Sequence, residues 1–364
     1  MDDYAPTWLD ELCTAGRTTW TRLRPAAATA GGSGAGGGGG GAASSLRATP
    51  ILLLPRKAAS TWAGIAAANA DADADADADA VTLGARARRV VDFLADHGAS
   101  FFDEIADGCR LLRAEAEDAL AELVVRGRVN ADSYAGLRAL LVPPSKRAAT
   151  SSSGRARRRM PLFGIADAGR WSLVRSPRWE AATPTARAEA LEHVARTLLR
   201  RWGVVCWRLM EREAAWLPPW RDLVRVYRRL EARGEVRGGR FIAGLSGEQY
   251  ALPEAIATLR QVRRQPRDGA LVVLSASDPA NLQGSVLAGP RVPRIAGARV
   301  AFQDGLGVAS LVGGQVEMLV EGDDATRQRV ARALVQGGAG GGQASGLTPH
   351  SMGDALQHGV RPEA

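Results

Sequence analysis

The sequence predicts an α+β protein, and three observations support this prediction. Residues 83–142 and 183–264 each show three helical patterns followed by strand signals. Residues 270–320 change to short apolar runs separated by turn dipeptides, and other stretches are runs of very few residue types. Three helices followed by a strand pair is the order of a winged helix. We therefore predict tandem winged-helix domains followed by a small antiparallel β-barrel, with disordered low-complexity insertions.

Low-complexity stretches set the outer boundaries of the predicted domains. Residues 26–45 are rich in Gly and Ala, and residues 69–80 alternate Asp and Ala, which are both poor strand formers. We expect residues 1–60 to be the remnant of a preceding winged-helix/β unit with a Gly-rich insertion. Residues 61–82 are expected to be an Asp/Ala insertion, and the Gly-rich residues 337–364 a disordered tail.

The first predicted winged helix occupies residues 83–142. Its helices are expected at about 84–97, 101–108 and 113–126. The residues from Val129 to Val142 supply the predicted wing strands, around Gly136. The third helix carries four carboxylates, Glu115, Glu117, Asp118 and Glu122. Because an acidic helix repels phosphates, we interpret this domain as structural or protein-facing.

A basic linker is predicted between the two winged helices, over residues 143–182. It contains four arginines in a stretch rich in Ser, Arg155, Arg157, Arg158 and Arg159. Two interpretations of these arginines remain open. They grip phosphates, or they belong to a linker that is merely solvated.

The third helix of the second predicted winged helix, residues 183–264, is strongly basic. Pro218 and Pro219 open this helix. Its predicted core stripe is Leu223, Val226, Tyr227 and Leu230. Its other faces and the predicted Gly238-Gly239 hairpin carry seven arginines, Arg221, Arg225, Arg228, Arg229, Arg233, Arg237 and Arg240. A winged helix puts its third helix into a DNA groove and its hairpin on the backbone, so these arginines are the candidate DNA-binding residues.

An alternative interpretation of this helix is a solvated face. Three of its arginines would then pair with nearby carboxylates, namely those of Asp222, Glu231 and Glu235. The charge distribution favours DNA, because residues 146–240 contain 22 Lys and Arg against 9 Asp and Glu, a local balance of +13 in a chain of net charge +8. Composition alone is less decisive, since a GC-rich genome also explains why 45 of the 47 basic residues are Arg.

Several functional classes are excluded by what the sequence lacks. Cys13, Cys109 and Cys206 are odd in number and far apart, which does not fit a disulfide framework and fits a reducing cytoplasm. The four histidines show no metal-ligand spacing, so we expect no metal or cofactor. No apolar run is long enough to span a membrane, and no GxxxxGK[ST] motif is present, so ATP hydrolysis is not expected.

The predicted β-barrel occupies residues 265–336. Its strands are expected near Leu271–Leu274, Arg299–Phe302, Gly307–Val312 and Gln315–Val320. Turns are predicted at Asp278-Pro279, Asp304-Gly305 and Gly313-Gly314.

Four stretches carry a resemblance that covers, with others between them, about two thirds of the chain. They are WLDELCTAGRTTWTRLRP (8–25), HGASFFDEIADG (97–108), RGGRFIAGLSGEQYALPEA (237–255) and LSASDPANLQG (274–284). In this order they resemble the C-terminal region of the bacterial large helicase-related protein, Lhr. The resemblance implies a superfamily 2 DNA helicase whose ATPase motor lies upstream and is absent from this chain, which would make the chain a separated or truncated piece. It also implies tandem winged helices plus a β-barrel, similar to the winged-helix DNA glycosylases that unhook crosslinks.

The resemblance further connects this region with base excision. That reaction needs a carboxylate, or a polar group holding water, near a flipped base. By chemistry alone, Asp278 and Asp304 are the candidate catalytic residues. The alternative is that both are turn formers, because each stands directly before Pro or Gly.

These observations favour a DNA-binding C-terminal module of an Lhr-type DNA repair helicase. The expected partners are DNA, single-stranded or duplex, the helicase motor portion and a second copy of the chain, and no membrane. Two alternatives remain: a DNA glycosylase of winged-helix/β-barrel type, and a protein-assembly module whose first winged helix and barrel make protein contacts.

Overall fold

The computed structural model describes residues 5–23, 46, 50–68, 83–142, 165–174 and 183–337. Predictions for the Gly/Ala run, Arg155–Arg159 and the tail beyond residue 337 fall outside these residues. The insertion predicted for residues 61–82 lies outside them only from residue 69 onward. Its first part was wrong, because residues 61–68 belong to a helix, Ala59–Ala68, that buries Trp62 and Ile65. The chain divides into two compact units. The first takes its residues from 1–198 and 214–230, and the second from 199–213 and 231–364.

The first unit is mainly helical. Its helices are α1 (Pro6–Thr14), α2 (Ala59–Ala68), α3 (Ala85–His97), α4 (Phe102–Gly108), α5 (Arg113–Val125), α6 (Tyr134–Leu141), most of α7 (Pro184–Trp202) and most of α8 (Trp220–Ala232). Its strands are β1 (Thr18–Thr21), β2 (Leu52–Pro55), β3 (Ser100–Phe101), β4 (Val129–Ala131) and β5 (Arg170–Leu173). Strands β1 and β2 form an antiparallel pair, and the other three form a sheet in the order β3-β5-β4.

The main core of the first unit forms where apolar residues recur at helical spacing. Phe102, Ile105, Leu120 and Leu123 are fully buried there, which confirms the helices predicted around residues 101–108 and 113–126. Trp20 of β1 lies in the same core and donates its indole N–H to the Ser133 carbonyl at 2.8 Å. The N-terminal residues therefore share a core with the segment predicted as the first winged helix.

The wing predicted for residues 129–142 was wrong. Only β4 is a strand, and the segment that follows is helix α6, with Gly136 in its interior. The third strand of the sheet is β5, which pairs with both β3 and β4. A Cβ at Gly136 would lie 2.9 Å from the Ala131 Cβ and 3.2 Å from Trp171 Cζ2, so this glycine permits close packing and does not make a turn.

The second unit contains two separate antiparallel sheets. The smaller sheet has the order β6-β8-β7, with β6 (Val204–Val205), β7 (Arg237–Gly239) and β8 (Gln249–Ala251). The larger has the order β12-β11-β10-β9, with β9 (Leu271–Ser275), β10 (Arg299–Gln303), β11 (Leu306–Val312) and β12 (Gln315–Met318). Helix α9 (Pro253–Arg264) connects the two sheets, and α10 (Asp324–Gln336) follows the last strand.

The predicted closed β-barrel is not found. Strands β9 and β12 are the two edges of the larger sheet, and no pairing joins them in the part of the chain that the structure describes. Helix α10 covers the sheet instead, because Val330 and Leu334 pack against Ala301, Val308 and Ala309. A helix that buries one face of an open sheet supplies the core that closure would otherwise provide.

No helix among the described residues is both long enough and apolar enough to cross a bilayer.

Candidate nucleic-acid interface

Helix α8 is amphipathic in the way the sequence predicts. Its four predicted core residues are all buried, Leu223, Val226, Tyr227 and Leu230. The Tyr227 hydroxyl donates to the Ala195 carbonyl of α7 at 3.4 Å. Pro219 lies just before the helix, and its carbonyl accepts the Asp222 N–H at 2.9 Å. The buried stripe therefore fixes which faces of α8 its arginines occupy.

The arginines of α8 lie on its solvent-exposed faces. The side chains of Arg221 and Arg225 are 81% and 73% exposed, and both approach the Asp222 carboxylate, at 3.9 Å and 3.1 Å. Arg228 and Arg229 are also exposed. The alternative of paired arginines is thus realised at Asp222, whereas Arg229 forms no ion pair with any residue that the structure describes. Exposed ion pairs contribute little free energy, so a phosphate can displace them.

The remaining three candidate arginines belong to the second unit. Arg233 lies 3.7 Å from the Glu235 carboxylate, and Arg237 donates weakly to the Gly234 carbonyl at 3.4 Å. Arg240 follows β7 directly and is exposed. Glu231 accepts the Gly238 N–H at 2.9 Å, so this carboxylate is engaged with the backbone of the wing strand.

The turn predicted at Gly238-Gly239 was wrong. Both glycines lie within β7, where they pair with Tyr250 and Gln249 of β8. The connection between the strands is a longer loop over residues 240–248, and its positive φ angles fall at Gly244 (77°) and Gly247 (84°). Positive φ marks the residues that turn the chain, and Gly238 and Gly239 do not have it.

Sequence reasoning missed the residue that organises this loop, Gln249. Its side chain is fully buried. The amide oxygen accepts the N–H groups of Phe241 and Ile242, both at 2.9 Å, and the amide nitrogen donates to the carbonyls of Ile242 and Leu245, at 3.0 and 3.1 Å. The available signal was a polar residue within the buried strand run Gln249-Tyr250-Ala251, because a buried amide requires partners.

The two candidate catalytic aspartates lie at opposite ends of strand β9. Asp278 follows its C-terminal end and accepts the Ala280 N–H at 2.8 Å. Asp304 lies in the β10–β11 turn with a φ of 49°, near the N-terminal end of β9, and accepts the Gly269 N–H at 3.2 Å. The structure does not bring them together. Asp278 makes a turn-type hydrogen bond, whereas Asp304 accepts its hydrogen bond from a residue 35 positions away in the chain.

No metal centre is evident in the described residues, since no three His, Cys, Asp or Glu side chains cluster there. The three cysteines are buried free thiols. Burial, followed by the nearby Asp10 carboxylate, raises the pKa of the Cys13 thiol, and burial likewise raises the pKa of the Cys109 thiol. The thiols of Cys13 and Cys109 are therefore poor nucleophiles in the folded protein.

Comparison with known proteins finds that part of this chain is similar to a known family. Residues 183–271 match the family model described as the winged-helix domain of the large helicase-related protein. This chain is similar to the Lhr proteins. All seven candidate arginines lie inside the matched range, whereas Asp278 and Asp304 lie beyond it.

Two curated relatives extend the similarity to Lhr beyond the winged helix. The chain is 32% identical over 265 residues to the "Lhr helicase/uracil glycosylase" of Escherichia coli K12, which covers 65% of the chain and 17% of that protein. It is also 32% identical over 268 residues to the "Lhr helicase/ probable uracil glycosylase" of Mycolicibacterium smegmatis, covering 67% of the chain and 17% of that protein. The chain thus spans 17% of the length of these Lhr relatives.

Proposed function

We propose that this chain is a DNA-binding, helicase-associated C-terminal module that serves DNA repair. The observation that supports this most directly is α8, whose buried stripe Leu223–Leu230 turns four arginines toward solvent in the part of the chain that matches the Lhr winged helix. A third helix of this kind lies in a DNA groove, and a basic wing contacts phosphates. Arg237 and Arg240 stand in the wing of the same matched range.

We further propose that residues 83–174 form another winged helix, which precedes the one matched by the Lhr family model. In chain order, α3-β3-α4-α5-β4-β5 has the same succession as α7-β6, the 3-10 helix Trp207–Arg212, α8-β7-β8, apart from the inserted α6 and the 3-10 helix Ile165–Ala168. Both three-stranded sheets place their last strand in the middle. This similarity of topology supports a tandem arrangement.

The first of these winged helices has a structural or protein-facing role in this proposal. Its third helix, α5, uses its carboxylates internally. Glu122 accepts the Gly84 N–H at 3.0 Å, and Glu115 pairs with Arg86 at 2.8 Å. Carboxylates on this helix repel phosphates, so DNA contact is assigned to α8 and its wing.

Salt-dependent DNA titration tests the DNA-binding proposal. Each neutralised phosphate on duplex DNA contributes a slope of about −0.9 in log K against log salt concentration. Replacing Arg225, Arg228 and Arg237 together with Ala removes three phosphate contacts, so we expect the slope to flatten by roughly two to three units. The measurement is fluorescence anisotropy with a labelled duplex at several salt concentrations.

A matched control separates contact from overall charge. Replacing Arg113, Arg170 and Arg327 with Ala removes the same charge from exposed ion pairs elsewhere in the chain. The control is expected to change the slope by less than about one unit. If the α8 and wing variant has the parent slope, the proposed interface is refuted, and Arg155–Arg159 becomes the site to test.

Base excision is a second candidate function, favoured by the words "uracil glycosylase" in the names of both relatives. Hydrolysis of the glycosidic bond would need an ionised carboxylate to activate water or to stabilise the oxocarbenium-like sugar. Because Asp278 and Asp304 lie at opposite ends of β9, each is a separate candidate for this role.

Single variants test this second function. If one carboxylate is catalytic, Asp278→Asn or Asp304→Asn abolishes uracil release from a labelled oligonucleotide while leaving DNA affinity and melting temperature near the parent values. A lower melting temperature with unchanged release would assign that aspartate to its turn alone. If the parent chain releases no uracil, this function is refuted for the chain.

A further inference from the structure

One tryptophan of the second unit faces solvent beside the loop over residues 240–248, here called the wing loop. Trp207 begins the 3-10 helix Trp207–Arg212, and its side chain is 41% exposed. Leu209, two residues later, is buried, so the helix turns Trp207 and Arg208 outward. A Cβ at Gly247 would lie 3.5 Å from Trp207 Cδ1, which places the wing-loop backbone against one edge of the indole.

The 3-10 helix is attached to a second loop, residues 276–298. Arg208 Nε donates to the Ser285 carbonyl at 3.0 Å. Arg212 donates to the Ser285 hydroxyl at 2.9 Å and also to the carbonyls of Asn281 and Pro279. Arg212 therefore holds the loop in place, while Arg208 keeps two terminal guanidinium nitrogens for which no partner exists among the described residues.

The second loop presents two more arginines on a fixed backbone. Arg291 and Arg294 are both exposed. The backbone of Arg291 packs on Gly284, where a Cβ would lie 2.4 Å from the Arg291 Cα. Pro290 and Pro293 precede them and fix two φ angles, so the loop loses little entropy when a ligand binds.

The second loop itself carries a net positive charge, and the Glu213 carboxylate acts on Arg212 beside it. The loop's only carboxylate is Asp278, which is occupied by its own turn. Burial, and then the charges of Arg294 and Arg291, lower the pKa of the Arg212 guanidinium. Both loops share one small core with the 3-10 helix, in which Leu209 and Val286 pack with Leu245 of the wing loop. The exposed indole and the arginines are thus carried on one packed cluster.

We propose that Trp207, Arg208, Arg291 and Arg294 form a platform for an unpaired nucleic-acid strand. A base stacks on the exposed face of Trp207, and the guanidinium groups bind the flanking phosphates. Sites that bind single strands combine a stacking aromatic with a basic track in this way. The inference rests on the proposed DNA binding and adds the kind of DNA that the second unit takes.

Removing the stacking surface tests the platform. Alanine substitution of a base-stacking aromatic weakens single-strand binding by about 5- to 150-fold. We expect Trp207→Ala to weaken the full chain's affinity for an oligo(dT) by an amount in this range, and its affinity for a blunt duplex less than about twofold. Trp207→Phe retains a stacking ring and is expected to recover most of the affinity. The matched control is Trp8→Ala, since Trp8 is 47% exposed in the first unit.

Removing the charges gives an independent readout that does not depend on the indole. Single strands contribute a slope of about −0.7 per phosphate contact, so Arg291→Ala with Arg294→Ala is expected to flatten the oligo(dT) salt slope by about 1.4. Arg327→Ala with Arg332→Ala, on helix α10, removes equal charge and is expected to leave that slope unchanged. Circular dichroism of every variant checks that the fold is retained.

The outcomes distinguish the platform from the DNA-binding proposal itself. If the α8 and wing variant weakens duplex binding but the Trp207 and Arg291/Arg294 variants bind oligo(dT) like the parent, only the platform is refuted. Equal losses on oligo(dT) and duplex for Trp207→Ala would refute the assignment to unpaired strands. A parent chain that binds neither DNA refutes both proposals.

Discussion

The wing loop is expected to depend on a single buried side chain, Gln249. Replacing Gln249 with Met keeps the length and volume of the side chain but removes all four of its hydrogen bonds to the loop backbone. At about 1 kcal/mol net for each neutral hydrogen bond, these four are worth about 4 kcal/mol. Phe241 and Ile242 are half-buried, so water replaces part of the lost hydrogen bonding. The expected loss in the stability of the loop is therefore about 2–4 kcal/mol.

Native-state hydrogen exchange measures this loss at the groups concerned. The Phe241 and Ile242 amides donate to Gln249 and are expected to lose protection by about 30- to 1,000-fold in the Met variant. Gln249→Glu keeps an acceptor for both amides but turns a carboxylate oxygen toward the carbonyls of Ile242 and Leu245, so it is expected to lower protection as well. Gln328→Met, at an exposed position of α10, is the control and is expected to leave their exchange unchanged.

Unchanged protection of both amides in the Met variant would refute this account. The loop would then be held by its packing at Leu245, and not by the amide of Gln249. A loss of protection that spreads through all of β8 would instead indicate that Gln249 stabilises the whole sheet β6-β8-β7, and the wing would not be a separate element of stability.

Two further predictions concern single residues. Gly136→Ala places a Cβ 2.9 Å from the Ala131 Cβ, and this crowding outweighs the better helix propensity of alanine. We expect the free energy of unfolding, measured in urea, to fall by about 1–3 kcal/mol. An unchanged urea midpoint would contradict the close packing. Asp323 caps α10, and its pKa is lowered chiefly by the hydrogen bonds from Thr326, so its contribution is present above its unfolded pKa and is lost as pH falls through the folded value. Asp323→Asn keeps a capping side chain without the titration, so its melting temperature is expected to fall less than the parent's between pH 6 and pH 3, and parallel falls would contradict this.

The helices were predictable because their apolar periodicity is local. The residues that bury one side of α5 and of α8 recur at helical spacing, and the structure buries them as expected. The wing of the first unit was not predictable in this way. Its last strand, Arg170–Leu173, is separated from β4 by 38 residues, and period-two alternation does not reveal a pairing partner.

The sequence also could not predict whether the larger sheet, β9 to β12, closes into a barrel. Strands β9 to β12 show the expected short apolar runs, but nothing local to them states whether the two edges meet. In the structure, the buried residues Val330 and Leu334 of α10 cover one face of the sheet, and the sheet stays open. A helix assigned only by its length and end signals does not reveal the surface on which it packs.

Part of the candidate site was likewise predictable from local sequence, and part depended on the tertiary fold. The arginines of α8 could be placed on exposed faces because the buried stripe next to them has helical spacing. The grouping of Trp207 with Arg291 could not be foreseen, because it depends on hydrogen bonds between Arg208 and Ser285 and between Arg212 and Ser285, across 77 and 73 residues. Such contacts follow from the tertiary fold and leave no periodic signal.

The order of strands in the two small sheets has a consequence for biosynthesis. In β3-β5-β4 and in β6-β8-β7, the strand made last occupies the centre, so Trp171 pairs with both Ser100 and Ala131. Forty residues separate Ala131 from Trp171 along the chain. At about 5–20 residues per second, a ribosome leaves β3 and β4 as open edges for roughly 2–8 s. During that interval the nascent chain offers two unpaired strand edges to neighbouring chains, and a chaperone that shields strand edges would act at this stage of synthesis.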